Sequence, residues 1–234
     1  MTRILRKTVA ILALFTAELL FTLIIVLLCT LAFLLLGREI LQGQEVGFDL
    51  KAFAFADSLA STWLTRVMVV ITFFASRNFI TIASLLLIMY FLFIRKHKWY
   101  SLRVPVIAIG SISLNLILKQ FFGRERPLVP HLVESSGLSF PSGHAMISAS
   151  FYGLLVFLVW KHVAHAALKW FLIGLLCLWI ILIGFSRIYL HVHYATDVIA
   201  GFAAGIMWVV IANFLLKKLE RFSGRKLKPI LKEN

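Results

Sequence analysis

Apolar residues along this chain come in long blocks separated by short charged or turn-rich stretches, rather than in the half-polar stripes of surface helices. Six blocks stand out: Thr8 to Leu36, Phe79 to Ile94, Val104 to Phe121, Ala145 to Trp160, Leu168 to Phe185 and Val198 to Leu216. A helix needs about 20 apolar residues to cross the ~30 Å hydrocarbon layer of a bilayer. Each block is therefore expected to be a transmembrane helix, and the fold class all-α: a polytopic membrane protein of six transmembrane helices forming one membrane-embedded domain over residues 1–234.

The stretch from Gly37 to Arg77 breaks the pattern. It mixes Glu39, Glu45, Asp49, Lys51 and Asp57 with Phe53, Phe55 and Leu59. This predicts an interfacial helical segment between the first and second spans, anchored by Trp63 and Phe55. Val67 to Ala75 is too short to cross.

Composition agrees with the pattern. Hydrophobic residues make up 61% of the 234 and mean hydropathy is +0.95, whereas soluble domains are about 45–50% apolar. A net charge of +14 would suggest nucleic acid in a soluble protein, but its placement points elsewhere. With six spans and an inside amino terminus, sixteen of the 24 Lys and Arg fall in cytoplasmic segments, namely Arg3, Arg6, Lys7, Arg95, Lys96, Lys98, Arg103, Lys161, Lys169 and seven from Lys217 to Lys232. That bias predicts both termini in the cytoplasm of an inner (plasma) membrane protein. It also places the basic tail, residues 217–234, against anionic lipid headgroups, with nucleic acid excluded as a partner. Cys29 and Cys177 sit inside apolar blocks and imply no disulfide. The amino-terminal block is too long for a signal-peptide core and lacks a small-x-small cleavage site, so it is expected to stay as the first span.

Against this background three polar islands carry the candidate chemistry: Lys119 to Arg126-Pro127, Pro141-Ser142-Gly143-His144, and Ser186-Arg187 to His193 and Asp197. Ionisable groups beside membrane spans cost several kcal/mol unless paired or wetted. Span counting brings all three islands to the same, extracytoplasmic side. His193 and Asp197, four apart at a helix start, share a face. Pro141-Ser142-Gly143 precedes a helix whose open N–H groups and dipole favour an anion. Lys119, Arg126 and Arg187 add cations matched to phosphate oxygens. A neutral imidazole oriented by a carboxylate is a competent nucleophile toward phosphorus, and a second imidazole can protonate the leaving oxygen.

With these residues and spacings the chain resembles the type 2 phosphatidic acid phosphatase family of membrane lipid phosphatases. The family's pattern of Lys, six residues, Arg-Pro is met by Lys119 and Arg126-Pro127; Pro-Ser-Gly-His by Pro141 to His144; and Ser-Arg, five residues, His, three residues, Asp by Ser186-Arg187, His193 and Asp197. The match spans residues 119–197. The resemblance implies His193 as nucleophile, Asp197 as its orienting carboxylate, His144 as general acid, and Lys119, Arg126, Ser142, Gly143 and Arg187 as phosphate ligands. It also implies no metal and no cofactor, and substrates such as undecaprenyl pyrophosphate, phosphatidylglycerophosphate or phosphatidic acid. A lipid transporter or flippase, a vanadate-dependent haloperoxidase and a lipid phosphotransferase are alternatives with a similar pocket.

Other residues carry blander expectations. Arg124 and Glu125 are expected to pair locally, with contact to a headgroup as the alternative, and His191 to be a loop or interfacial residue. His131 and Glu134 are expected to rim the pocket or be solvated. Glu18 and Asn115 are expected to face the bundle interior. Gly201 to Gly205 forms a small-xxx-small stretch expected to pack inside the molecule.

Overall fold

Eight α-helices form the chain in a computed structural model that describes residues 3–42 and 47–230, with side chains described from 19 to 42 and from 47 to 223. They are α1 (Arg3–Leu41), α2 (Gly47–Ser58), α3 (Thr62–Phe73), α4 (Arg77–Met89), α5 (Lys98–Phe122), α6 (Gly143–His162), α7 (Ala166–Tyr189) and α8 (Ala195–Ile230), with a π-helical turn, Tyr90–Ile94, prolonging α4. Six of these, α1 and α4 to α8, carry stretches long and apolar enough to cross a membrane. The molecule is an all-helical membrane protein with six such spans. The orientation expected of Glu18 and the lipid contacts of the tail beyond 223 lie outside the described residues.

Between α1 and α4 the interfacial segment is two helices, α2 and α3, each of 12 residues and too short to cross. Ser61 caps α3 by accepting from Leu64 N, and Ser76 caps α4 by accepting from Phe79 N. Trp63 and Phe55 are exposed, as the anchoring expectation requires.

The expected helix limits move in three places. α5 begins at Lys98 rather than Val104 and holds Pro105 inside it; His97 accepts from Tyr100 N and starts the helix upstream of the proline. α6 begins at Gly143, capped by Ser142. α8 continues past the last apolar residues through Lys217 and Lys218 to Ile230.

Burial separates an inner set from an outer one. Half of the apolar stretch of α6 is buried in protein, with 44% of α8 and 39% of α5, against 6% for α1 and α7. The inner helices approach closely because α8 offers Gly201 and Gly205 to α6. A Cβ on Gly201 would stand 2.7 Å from Ser142 O, and one on Gly205 2.4 Å from Met146 O. The small-xxx-small stretch is thus an internal contact. It locks the start of α8 to the start of α6, where two of the three polar islands lie. Asn115 on α5 joins them, donating to Pro141 O at 3.1 Å.

Candidate functional site

Helix ends assemble the site. Lys119 lies in the last turn of α5, Arg126 in the loop after it, Ser142 at the cap of α6 with Gly143 and His144 in its first turn, Arg187 in the last turn of α7, His193 in the α7–α8 turn and Asp197 in the first turn of α8. All eight candidate residues therefore come from the same end of the bundle.

His193 and Asp197 meet with Nδ1 and Oδ2 3.3 Å apart, and both are buried. Ser139, two residues before Pro141, ties the pair together: its hydroxyl donates to Asp197 Oδ2 and lies 3.2 Å from His193 Nδ1. Tyr194 N also donates to Asp197 Oδ2, at 3.0 Å. With Asp197 an acceptor at Nδ1, the proton belongs on Nδ1 and the lone pair on Nε2. Nε2 faces Arg126 Nη1 at 3.4 Å. Burial pulls the His193 pKa down to about 3; Asp197 opposes this, and Arg187 and Arg126 add to it. The imidazole is therefore neutral at physiological pH.

The cations are held by neutral oxygens. Lys119 Nζ donates to the carbonyls of Leu138 and Ser139. Arg126 donates from Nε to Gly137 O at 2.9 Å, from Nη2 to Ser136 O at 2.9 Å and from Nη1 to Val192 O at 2.7 Å. Burial works against its charge, lowering its pKa, while Asp197 supports it. Arg187 Nη1 donates to Thr72 Oγ1 of α3 at 2.7 Å, and its Nε is buried without a protein partner. His144 lies within electrostatic reach of Arg187, His193, Arg126 and Lys119. At the start of α6 the Ala145 and Met146 N–H groups bond back to Ser142, leaving those of Gly143 and His144 at the open end of the helix.

Arg124 corrects an expectation. It does not pair with the exposed Glu125. Its Nη1 donates to Asp197 Oδ1 at 2.6 Å and to Thr196 Oγ1 at 2.8 Å, and its Nη2 to Asp49 Oδ2 at 3.1 Å. Asp49 is itself buried on α2 and accepts from Thr196 N and Thr196 Oγ1, both at 2.8 Å. Asp49, Thr72, Arg124, Ser139 and Thr196 are thus site residues that sequence reasoning missed. Arg124 and Thr196 lie within motifs and Ser139 lies two residues before one, close enough to be found, whereas Asp49 and Thr72 do not. His191, expected as a loop residue, sits in the turn with φ 60° and its Nε2 2.9 Å from Asp57 Oδ1. His131 bonds within its own loop, to Pro127 O and Ser135 Oγ, and Glu134 is exposed.

This arrangement can hold a tetrahedral oxyanion against Lys119, Arg126, Arg187 and the α6 amino terminus, with an imidazole lone pair beside it. Among the described residues no group of three His, Cys, Asp or Glu side chains is placed to hold a metal ion.

A family model described as the PAP2 superfamily matches residues 100–221. Phosphatidylglycerophosphatase B of Bacillus subtilis (strain 168) is 30% identical over 196 residues, 82% of this chain and 95% of the relative. The Escherichia coli (strain K12) protein YbjG, whose name provisionally assigns it as an undecaprenyl-diphosphatase, is 24% identical over 167 residues, 65% of this chain and 80% of its own. Among solved structures, a transmembrane PAP2-type phosphatidylglycerolphosphate phosphatase from Bacillus subtilis superposes with a TM-score of 0.74 at 28% identity, covering 84% of this chain and 98% of that one. Aquifex aeolicus LpxE shares the fold with a TM-score of 0.57 at 23% identity, over 72% and 96% of the two chains.

Proposed function

The chain belongs to the PAP2 superfamily, and on that footing we propose that it removes the terminal phosphate of a lipid phosphate or lipid pyrophosphate through a phosphohistidine intermediate. The observation that carries this reading is the orientation of His193: Nδ1 turned to Asp197 and Ser139, Nε2 turned to Arg126. A pocket that only bound or carried an anion would need the cations but not an oriented, neutral imidazole among them.

The geometry supports the following steps. The phosphoryl group lies among Lys119, Arg126, Arg187 and the N–H groups of Gly143 and His144, with Ser142 capping that helix. There its oxygens meet charge already in place. His193 Nε2 attacks phosphorus, and the P–N bond forms as the P–O bond to the leaving group breaks and its electron pair departs with that oxygen. His144 donates the proton that the leaving oxygen needs. The imidazolium left on His193 is stabilised by Asp197. Water, deprotonated by His144, then cleaves the P–N bond and returns free phosphate. Asp49 and Asp197 are already committed to Arg124, so the pocket offers cations rather than metal-ligating carboxylates, and the reaction is proposed to need no metal or other cofactor.

A lipid substrate fits the surroundings. An apolar groove of about 480 Å³ runs between α2, α7 and α8, lined by Phe48, Phe55, Phe185, Val198 and Phe202, with Lys51 among its residues. Val198 follows Asp197 directly, so an acyl or prenyl chain in the groove would leave its headgroup beside the site. Phosphatidylglycerophosphate, undecaprenyl pyrophosphate and phosphatidic acid are the candidates. The split of Lys and Arg along the chain supports cytoplasmic termini, an extracytoplasmic site and anionic lipid around the basic tail.

The test is phosphate release by detergent-solubilised protein across those three lipids with excess chelator present. The wild type is expected to release phosphate, and His193→Ala to lose at least about a thousandfold in kcat while extracting and eluting normally. Full activity of His193→Ala, or chelator loss restored by a divalent ion, would overturn the mechanism.

A further inference from the structure

Asp49 has no place in the family's three motifs. It lies on α2, far from them in sequence, yet it is buried with 3% of its surface exposed. Burying a carboxylate costs several kcal/mol unless it is paired and fully hydrogen-bonded. Here both oxygens are used: Oδ1 by Thr196 N, Oδ2 by Thr196 Oγ1 and Arg124 Nη2. The same guanidinium reaches Asp197 through Nη1 and lies over the Tyr194 ring, 3.9 Å from its centroid. A chain of alternating charge thus runs from α2 to the imidazole: Asp49, Arg124, Asp197, His193.

The sum of charges along this chain decides how it acts. Asp49 and Asp197 each carry −1 and Arg124 carries +1, so the three together carry −1. That remaining charge sits next to His193 Nδ1. Without Asp49, Arg124 would have Asp197 as its sole carboxylate, the sum would be zero, and the imidazolium formed on attack would lose part of its stabilisation. Asp197 has no water-exposed edge where an ion could make up the difference, being fully buried.

We propose that Asp49 is a positioning residue of the phosphatase reaction: it draws off the Arg124 charge so that Asp197 stays effectively anionic toward His193, and it thereby ties catalysis to the seating of α2. The inference rests on the reading of His193 as nucleophile. It places part of the catalytic electrostatics on the interfacial helix that borders the apolar groove.

The experiment is a charge-compensation cycle measured as kcat and KM for phosphate release from phosphatidic acid or undecaprenyl pyrophosphate in detergent, whichever the wild type hydrolyses faster. Asp49→Asn keeps the size and removes the charge; it is expected to lower kcat about ten- to a hundredfold with KM nearly unchanged. Adding Arg124→Gln returns the sum to −1, and the double variant is expected to regain activity several-fold over Asp49→Asn. A merely structural contact predicts the reverse, since the double variant has lost two partners. Thr196→Val, which removes the hydroxyl bonds without a charge, is expected to cost less than Asp49→Asn.

If Asp49→Asn does not extract as folded protein, Asp49→Glu against Asp49→Gln decides, because the two share a size and differ in charge; equal activities overturn the proposal. A double variant no better than Asp49→Asn also overturns it, as does Asp49→Asn with wild-type kcat. A wild type that releases no phosphate from any lipid instead sinks the phosphatase reading beneath it.

Discussion

The two ends of the helical bundle each bury an arginine, and they use it differently. At the end away from the site, Arg103 on α5 is 1% exposed and donates to Glu220 Oε2 on α8 at 2.8 Å. Its guanidinium lies 4.9 Å from the Tyr100 ring centroid and 5.7 Å from that of Phe157. Two of its nitrogens lack hydrogen-bond partners, but these ring faces surround it. Lys161 lies over Tyr100, and Lys169 over Trp160. Charge at this end is answered locally.

At the site end Lys119, Arg124, Arg126 and Arg187 face Asp49 and Asp197, four cations against two carboxylates, which leaves a surplus of two. Both carboxylates go to Arg124, and Lys119, Arg126 and Arg187 are held by carbonyls and a hydroxyl. A dipole orients a cation without cancelling it. Burial of an arginine is therefore common to both ends, and what distinguishes the site is positive charge that the protein has positioned but not neutralised.

The sharpest way to break this contrast is at Arg126. It makes three bonds to loop carbonyls and faces His193 Nε2. Arg126→Ala is expected to lower kcat about a hundred- to a thousandfold, the usual cost of removing one preorganised donor from an oxyanion site. Arg126→Lys is expected to recover little, because a point charge cannot reproduce the fork that spans three carbonyls. Steady-state phosphate release checks both. Wild-type kcat in Arg126→Ala would mean that the surplus charge has no catalytic part.

The far end answers to stability instead. Glu220→Leu leaves Arg103 buried without its counterion and is expected to cost about 3 kcal/mol, whereas Arg103→Met with Glu220→Leu is expected to be near neutral. Thermal unfolding in detergent reads both, and kcat of the double variant is expected to match wild type. A large loss of kcat there would erase the distinction between the ends.

The same contrast explains what was legible in the sequence. The six spans were legible because a lipid-facing helix needs apolar residues on every side. Lys119, Arg126, Ser142, Gly143, His144, Arg187, His193 and Asp197 were legible because each group lies within a short stretch whose spacing is set by a helix end. Asp49 and Thr72 were hidden: they reach the site from α2 and α3, through contacts 147 residues apart for Asp49 with Thr196 and 115 apart for Thr72 with Arg187. No local period encodes such a contact. Arg124 was misassigned for a simpler reason. Exposure alternates from Gly123 to Arg126, so neighbours in this non-helical stretch point apart, with Glu125 outward and Arg124 inward. Arg103, expected in the basic turn before the third span, lies inside α5 because that helix starts upstream of Pro105.

Acid titration tests the surplus charge without any change to substrate chemistry. The His193 pKa is pulled from its ordinary 6.5 to about 3, first by burial and then by Arg187 and Arg126 against the opposing pull of Asp197. A depressed histidine pKa means that the unfolded chain binds this proton more readily than the folded one. Its contribution to stability is therefore whole above pH 6.5 and is lost as pH falls from there toward 3. Each unit within that window removes at most about 1.4 kcal/mol. His193→Asn cannot take up the proton, so the difference between wild-type and variant unfolding free energies is expected to change with that slope between pH 6 and 4 and to be flat above 7. The subtraction cancels titrating groups remote from the site and leaves the His193–Asp197 pair. A flat difference across the acid range would show that His193 is charged as easily in the folded protein as in water, and the site end would then lack the dry, cation-rich surroundings that set it apart from the far end.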